Sequence, residues 1–433
     1  MAKEYDAVVV GSGPGGSSVA RELCRAGKKV VMLEKGPYSK VLGNSLAAVY
    51  NADMAYAMPI GHPAMIRGVT VGGSTMLYCG TATRPAVFIK ELTGIDLMPY
   101  AEEFERELNV GPLPDRLVGD SARRIMEAAN KVGIDWQLLP KFINPDKCEA
   151  NCGDCMLGCK TGAKWTAREF VRQSLEMGMD LIVRASVDEV IREKGTAVGV
   201  RGRDPKGPLE IRADRVVLAA GGLGTPVILK RSGIDEAGEG FFSDPLLFTY
   251  GHRPGQRLGS SFDIPMTGGT WQFHEDEGIM MTDLSEPWLL QLSSQMLNFP
   301  PRIDQAPHVL TNMGIMTKVK DPVSGTISRD GKLRKTLEPE VYQRLEAGDR
   351  YAREILLAAG CRKSSLYTSP VKAAHPGGSA PIGKVVDTDL ESKIKNCYVC
   401  DASVVPDELG TPLVLLALCL GRHAAERMLA NWK

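Results

Sequence analysis

"YDAVVVGSGPGGSSVARELCRAGKKVVMLEKG", Tyr5 to Gly36, constrains the fold more than any other stretch of the chain. Val8, Val9 and Val10 form a continuous apolar run, the pattern of a parallel strand buried on both faces. Gly11, Gly13 and Gly16 then make G-x-G-x-x-G. Their tasks are a tight turn, close approach of backbone to a pyrophosphate, and close packing of helix on strand, with the helix N-terminus facing the phosphate charge. Glu34 ends the second strand 18 residues after Gly16, where a carboxylate accepts ribose hydroxyls. The stretch therefore predicts a dinucleotide site in an α/β fold. The glycines alone do not separate FAD from NAD.

The remaining chain is long enough, at 433 residues, for a second domain. Residues 65 to 85 form another glycine-rich segment with hydroxyl side chains beside it. Residues 181 to 222 alternate short apolar strands with polar turns, a meander returning to a buried strand at Val216 to Ala219. Residues 246 to 370 are richer in Trp, Met and Pro and lack the parallel-strand pattern, which predicts a separate substrate-side domain. The tail reads as strand, proline-bearing loop and closing helix. Basic and acidic residues balance at 52 each, which gives no reason to expect nucleic acid or an anionic membrane as partner. The N-terminal "MAKEYDAVVVG" reads as no signal peptide. "PLVLLALCLG", starting at Pro412, is too short for the roughly 20 residues of a membrane span. The expectation is a soluble cytoplasmic protein with reduced cysteines.

"CEANCGDCMLGCKTGAK", residues 148 to 164, puts Cys148, Cys152, Cys155 and Cys159 within twelve residues, in a chain with ten cysteines. The spacing suits a metal cage, a disulfide knot, a redox switch or chance enrichment in a tight loop. Iron-sulfur centres can take thiolates from one short loop, and Gly153 and Gly158 would let the chain wrap a cubane. Zinc more often uses two separated pairs of cysteines. Cys397 and Cys400, by contrast, lie on a predicted strand and read as core.

Four segments, in order, resemble the glucose-methanol-choline (GMC) oxidoreductases, flavoproteins that oxidise alcohols: "VVVGSGPGGSSVA", "VTVGGSTMLYCG", "RVVLAAGGLGTPVILKRSG", and "HPGGSAPIG" with "CYVCDASVVPDELGTP" after it. The resemblance implies FAD rather than NAD, in a discontinuous Rossmann-like FAD-binding domain with a smaller α+β substrate domain. FAD-binding parts would be 1–80, 166–245 and 375–433, with a cap carrying the cysteine loop at 81–165 and the substrate domain at 246–374. By the same resemblance Gly11, Gly13, Gly16, Glu34 and Val187 hold the ADP half. Gly72, Gly73 and Ser74 line the pyrophosphate or isoalloxazine, and Asp401 and Ala402 lie on the flavin side.

His375, in the H-P-x-G segment, takes the place of the family's catalytic base. Neutral imidazole, with a pKa of about 6.5, suits removal of a hydroxyl proton as the carbon gives up hydride. Two positions depart from the family: Thr411 stands where a second base, Asn or His, is usual, and Tyr78 where Asn is common.

"CMLGCKTGAK" resembles the cysteine-rich region of bacterial FAD-dependent sugar dehydrogenases that hold an iron-sulfur cluster, and also that of alcohol- and steroid-oxidising relatives for which no cluster is expected. On the first resemblance, the four cysteines would hold a [4Fe-4S] cluster in preference to a [3Fe-4S] one and pass electrons to a redox protein partner. The leading expectation is an FAD and iron-sulfur dehydrogenase acting on a small-molecule alcohol. A flavin/iron-sulfur reductase of a carbonyl or alkene, and a flavin electron-transfer subunit, are the alternatives. Trp271, Phe273 and Trp288 offer aromatic surface to a substrate or to the core, with His274 and His308 nearby.

Overall fold

The computed structural model describes residues 4–40, 42–43, 52–55, 57–58, 65–298 and 300–432. In chain order the elements that position the site are β1 (Glu4–Val10), α1 (Pro14–Arg25), β2 (Val30–Glu34), β3 (Asp180–Val183), β4 (Ser186–Glu193), β5 (Thr196–Asp204) and β6 (Gly207–Leu218). They continue with α2 (Gly221–Arg231), β7 (Pro245–His252), β8 (Ile279–Asp283), α3 (Trp288–Leu297), β9 (Asn312–Val319), α4 (Pro339–Ala358), β10 (Cys397–Val399) and α5 (Val414–Ala430).

One sheet has the order β3-β2-β1-β6-β5-β4, with β10 added beside β6. β1 pairs in parallel with β2 and with β6, and β6 in parallel with β10. β4, β5 and β6 form the antiparallel meander. β6 serves both patterns: Gly207 to Arg212 pair with β5, and Val216 to Leu218 are fully buried beside β1. The strand order reverses at β1, and the crevice beyond its carboxyl end is where open α/β sheets bind ligands.

α1 and α5 close this sheet on one side through small residues. A Cβ on Gly421 would lie 2.4 Å from the Gly15 carbonyl oxygen, and one on Gly15 would lie 1.7 Å from that of Cys400. The Ser18 hydroxyl donates to the Leu418 carbonyl at 2.9 Å. Cys397 and Cys400 are fully buried here, as core residues.

The second sheet is antiparallel at its centre, with β9 between β7 and β8. One face packs under α4, bringing Leu247, Met281 and Ile315 against Val341, Leu345 and Ile355. The other face carries Leu246, Phe248, Met280 and Met316, and meets Cys79 and Ala374. Because both faces are buried, every β9 position is buried and no alternation marks the strand. Asn312, Thr317 and Lys318 are buried among its apolar residues. Among the described residues no helix is long and apolar enough to cross a membrane.

Candidate active site

The first glycine turn is built by close contacts. Gly11 has a φ of +104°, and a Cβ there would lie 2.2 Å from the Ala219 carbonyl oxygen. A Cβ on Gly16 would lie 2.1 Å from the Gly11 carbonyl oxygen, which seats α1 on the turn. Gly13 is different: its Cβ direction meets nothing within 4 Å. It is also the N-cap of α1 and supplies no side-chain cap, so this helix end faces open space with donors to offer. That combination fits a pyrophosphate.

The second glycine segment lies on the first. Gly72 and Gly73 have φ of +93° and +56°, and a Cβ on Gly73 would come within 3.0 Å of the Gly13 Cα. The Ser12 hydroxyl joins the two segments, accepting from the Gly72 N–H at 3.0 Å and donating to Glu34 Oε2 at 2.6 Å. Glu34 also accepts from the Ser12 N–H at 3.1 Å and the Gly36 N–H at 2.7 Å. Burial pushes its carboxyl pKa up, and these hydrogen bonds draw it back. Ser74 is exposed and accepts from the Gly68 N–H at 3.0 Å, while Val187 is buried on β4.

Asp401 ties the third segment to this cradle. Its Oδ2 accepts from the Gly221 N–H at 2.8 Å and the Thr225 hydroxyl at 2.6 Å, and its Oδ1 from the Ser403 N–H at 2.8 Å. The carboxylate therefore fixes the start of α2 against Ala402. The Ala402 carbonyl in turn accepts from the Gly378 N–H at 3.0 Å, which anchors the loop bearing His375. A Cβ on Gly222 would lie 2.0 Å from the Pro376 carbonyl oxygen, so that loop sits directly on α2.

His375 adopts a φ of +53°, a left-handed conformation uncommon for a residue with a side chain and found disproportionately at functional sites. Its Nδ1 lies 2.9 Å from Lys318 Nζ and 3.2 Å from Asp244 Oδ2. Asp244 is completely buried, whereas the His375 side chain keeps 28% exposure and is reachable by a small molecule. Asp244 Oδ1 accepts from the Gly410 N–H at 3.0 Å, bringing the neighbouring Thr411 to the same place. Burial and the Lys318 charge push the His375 pKa below the usual imidazole range, against Asp244 and the Thr411 backbone. The ring is therefore neutral, as a base must be. Lys318 and Asp244 are absent from the sequence-based site. Lys318 left no signal, since a strand buried on both faces shows no alternation against which a cation stands out.

The four-cysteine cage finds no support among the described residues. Among the described residues, no three His, Cys, Asp or Glu side chains are gathered so as to hold a metal ion. Cys155 and Cys159 are instead buried with Leu113, Leu117, Ile143 and Ile264, with Cys148 packed on this cluster and Cys152 half-buried. Burial pushes the Cys155 thiol up to about 12 and the Cys148 thiol up to about 11. The loop's glycines dock it rather than wrap a cubane: a Cβ on Gly153 would lie 2.2 Å from the Ser261 carbonyl oxygen. Lys164, at the end of the segment, pegs the loop to the second glycine segment by donating to the carbonyls of Cys155 at 2.6 Å and Tyr78 at 2.8 Å. The Tyr78 hydroxyl donates to the Trp165 carbonyl at 2.7 Å. Cys155→Ser should retain flavin and iron content unchanged from wild type while lowering Tm, because a buried hydroxyl without a partner costs about 1–3 kcal/mol. Flavin absorbance, iron assay and thermal melting check this.

The aromatic candidates are scattered. Phe273 stacks on Tyr351 at 4.4 Å, and His308 stacks on His252 at 3.8 Å. Trp271 and Trp288 are exposed, and His274 Nε2 lies 3.0 Å from the Leu409 carbonyl oxygen.

Family models described as GMC oxidoreductase match residues 5–258 and 332–421. An uncharacterized GMC-type oxidoreductase of Mycobacterium tuberculosis (strain ATCC 25618 / H37Rv) is 28% identical over 96% of this chain and 74% of its own length. A long-chain-alcohol oxidase of Arabidopsis thaliana is 22% identical over 98% of this chain and 68% of its own length. Among solved structures, a formate oxidase of Aspergillus oryzae RIB40, studied for FAD modification, superimposes with a TM-score of 0.77 at 16% identity, covering 100% of this chain and 99% of that one.

Proposed function

The chain belongs to the GMC oxidoreductase family, and from that premise we propose that it binds FAD and oxidises the CH–OH group of a small-molecule alcohol, with His375 as base. The observation that carries the reading is the anchoring of the His375 loop to the nucleotide cradle through Ala402 and α2. Base and cofactor are thereby held in one rigid frame, the arrangement that makes a two-centre reaction effectively unimolecular.

FAD, when bound, supplies the hydride acceptor. Gly11, Gly13, Gly16, Glu34 and Val187 would hold its ADP half, Gly72, Gly73 and Ser74 its middle, and Asp401 and Ala402 its flavin side. The open direction at Gly13 and the uncapped start of α1 support this fit. The neutral His375 ring accepts the hydroxyl proton as the C–H bond breaks, and the Thr411 hydroxyl orients the alcohol oxygen. Segments 1–80, 166–245 and 375–433 form the cofactor-binding part in this reading, and 246–374 the substrate side. An external acceptor completes the cycle. The four-cysteine relay and a dedicated redox protein are left out of it, since Cys155 and Cys159 lie in an apolar cluster that Cys152 does not join.

The reading is tested by anaerobic titration of the flavin-loaded protein with a panel of primary and secondary alcohols. At least one should reduce the flavin with one equivalent of carbonyl product.

A further inference from the structure

Lys318 is the unexpected cation against the base. It stands on β9 beside Met316, on the sheet face that meets Cys79 and Ala374, and only 2% of it is exposed. Three other buried lysines, Lys141, Lys164 and Lys335, serve as pegs with full sets of oxygen partners. Lys141 Nζ donates to the carbonyls of Cys79 and Pro265 at 2.8 Å and to Thr81 Oγ1 at 2.9 Å, and Lys164 is held by carbonyls alone. Lys318 Nζ instead makes its hydrogen bond to a ring nitrogen, His375 Nδ1, at 2.9 Å. Such a bond works in two directions. An ammonium donates to the Nδ1 lone pair, and a neutral amine accepts from an Nδ1–H.

We propose that Lys318 is a positioning residue that acts through His375: the Nζ–Nδ1 hydrogen bond is a proton relay that removes from the ring the proton taken from substrate. This rests on His375 being the base. Before reaction the ring carries its proton on Nδ1, shared with the neutral Lys318 amine. As the alcohol O–H bond breaks, a new N–H bond forms at Nε2. The Nδ1–H bond breaks, and its proton passes to Nζ. His375 ends neutral in its other tautomer, Lys318 ends as ammonium, and the substrate has lost one proton. The buried Asp244 carboxylate, 3.2 Å from the same Nδ1, offsets the new charge.

Each group facing the relay agrees with this assignment. Burial pushes the Lys318 pKa down toward the range where the amine exists, with Asp244 and Cys79 opposing. Burial, and the Lys318 charge once it forms, push His375 down against Asp244 and the Thr411 backbone, so that the pair holds one proton rather than two. The relay also accounts for Thr411, which occupies the usual second-base position without being a base. The second base sits on the opposite side of the ring.

The test is nitrogen NMR of the protein with ¹⁵N-labelled histidine, His375 being assigned by its loss in His375→Asn. Between about pH 6 and 9 the wild-type ring should exchange its two neutral tautomers, Nδ1–H at high pH and Nε2–H at low pH, without forming imidazolium. In Lys318→Met the exchange should vanish and the ring should protonate to imidazolium as pH falls. Lys318→Arg, which retains a cation beside Asp244 and can donate but not accept, should lock the Nε2–H tautomer throughout. Wild type and Lys318→Met titrating alike, or a tautomer exchange that persists in Lys318→Arg, would overturn the relay. The readout needs no substrate and no flavin reduction, so it fails or succeeds separately from the proposed reaction.

Discussion

Gly13→Ala should yield a folded protein that no longer retains FAD. The added methyl meets nothing within 4 Å in the polypeptide, so the fold has no reason to change. It enters the space where backbone must approach the pyrophosphate, and bound flavin should fall from stoichiometric to near zero. Gly11→Ala is the informative contrast. Its φ of +104° and the 2.2 Å approach to the Ala219 carbonyl oxygen should destabilise the protein itself, with the backbone strain alone costing about 1–3 kcal/mol. Flavin absorbance per chain, with thermal melting of both variants, separates the two effects. Stoichiometric flavin in Gly13→Ala would remove the pyrophosphate from this turn.

His375→Asn should keep flavin and fold and slow flavin reduction by an alcohol at least about 100-fold, the usual scale for loss of a general base. Asn is chosen because it tolerates the left-handed backbone that His375 occupies at a φ of +53°. The wild-type pH profile carries a sign as well. A neutral ring is the active form, and burial with Lys318 depresses its pKa. Of its two neutral tautomers only Nδ1–H leaves Nε2 free to accept, so the rate should fall with pH between about 9 and 6 as the Nε2–H tautomer takes over. Thr411→Ala should lose less than His375→Asn, since a hydroxyl orients the alcohol but does not deprotonate it. Rapid mixing under anaerobic conditions measures all three rates. A wild-type rate that holds unchanged from about pH 9 to 6 would contradict the relay.

Much of the cradle was legible because glycine spacing encodes backbone geometry directly. Gly11, Gly13 and Gly16 perform separate tasks that follow from having no Cβ, and the apolar run of Val8 to Val10 announced its strand. The meander from β4 to β6 was legible too, through alternation at its turns. The second sheet was not legible in detail, because strands buried on both faces give no alternation. β9 hid Lys318 for that reason. Asp244 gave no local signal, since its partners are 131 and 166 residues away in sequence.

Spacing alone does not say what the cysteine loop does, for a physical reason. Four thiols within twelve residues fix proximity along the chain, but ligation needs them to converge in space as thiolates. Gly153 and Gly158 do take positive φ, at +66° and +102°, yet they turn the backbone toward Ser261 and Leu42. Lys164, two residues beyond Gly162, is what holds the loop to the glycine segment, and its burial in a ring of carbonyls was not encoded in any spacing.

The most direct test of a flavin enzyme that takes hydride from a CH–OH carbon is anaerobic single-turnover mixing with an alcohol, run in parallel with the same alcohol deuterated at the carbinol carbon. The expected result is full reduction of the bound flavin, several-fold slower with deuterium, with the carbonyl product formed one for one. Flavin that stays oxidised with every alcohol offered, or reduction at the same rate with the deuterated donor, would contradict it.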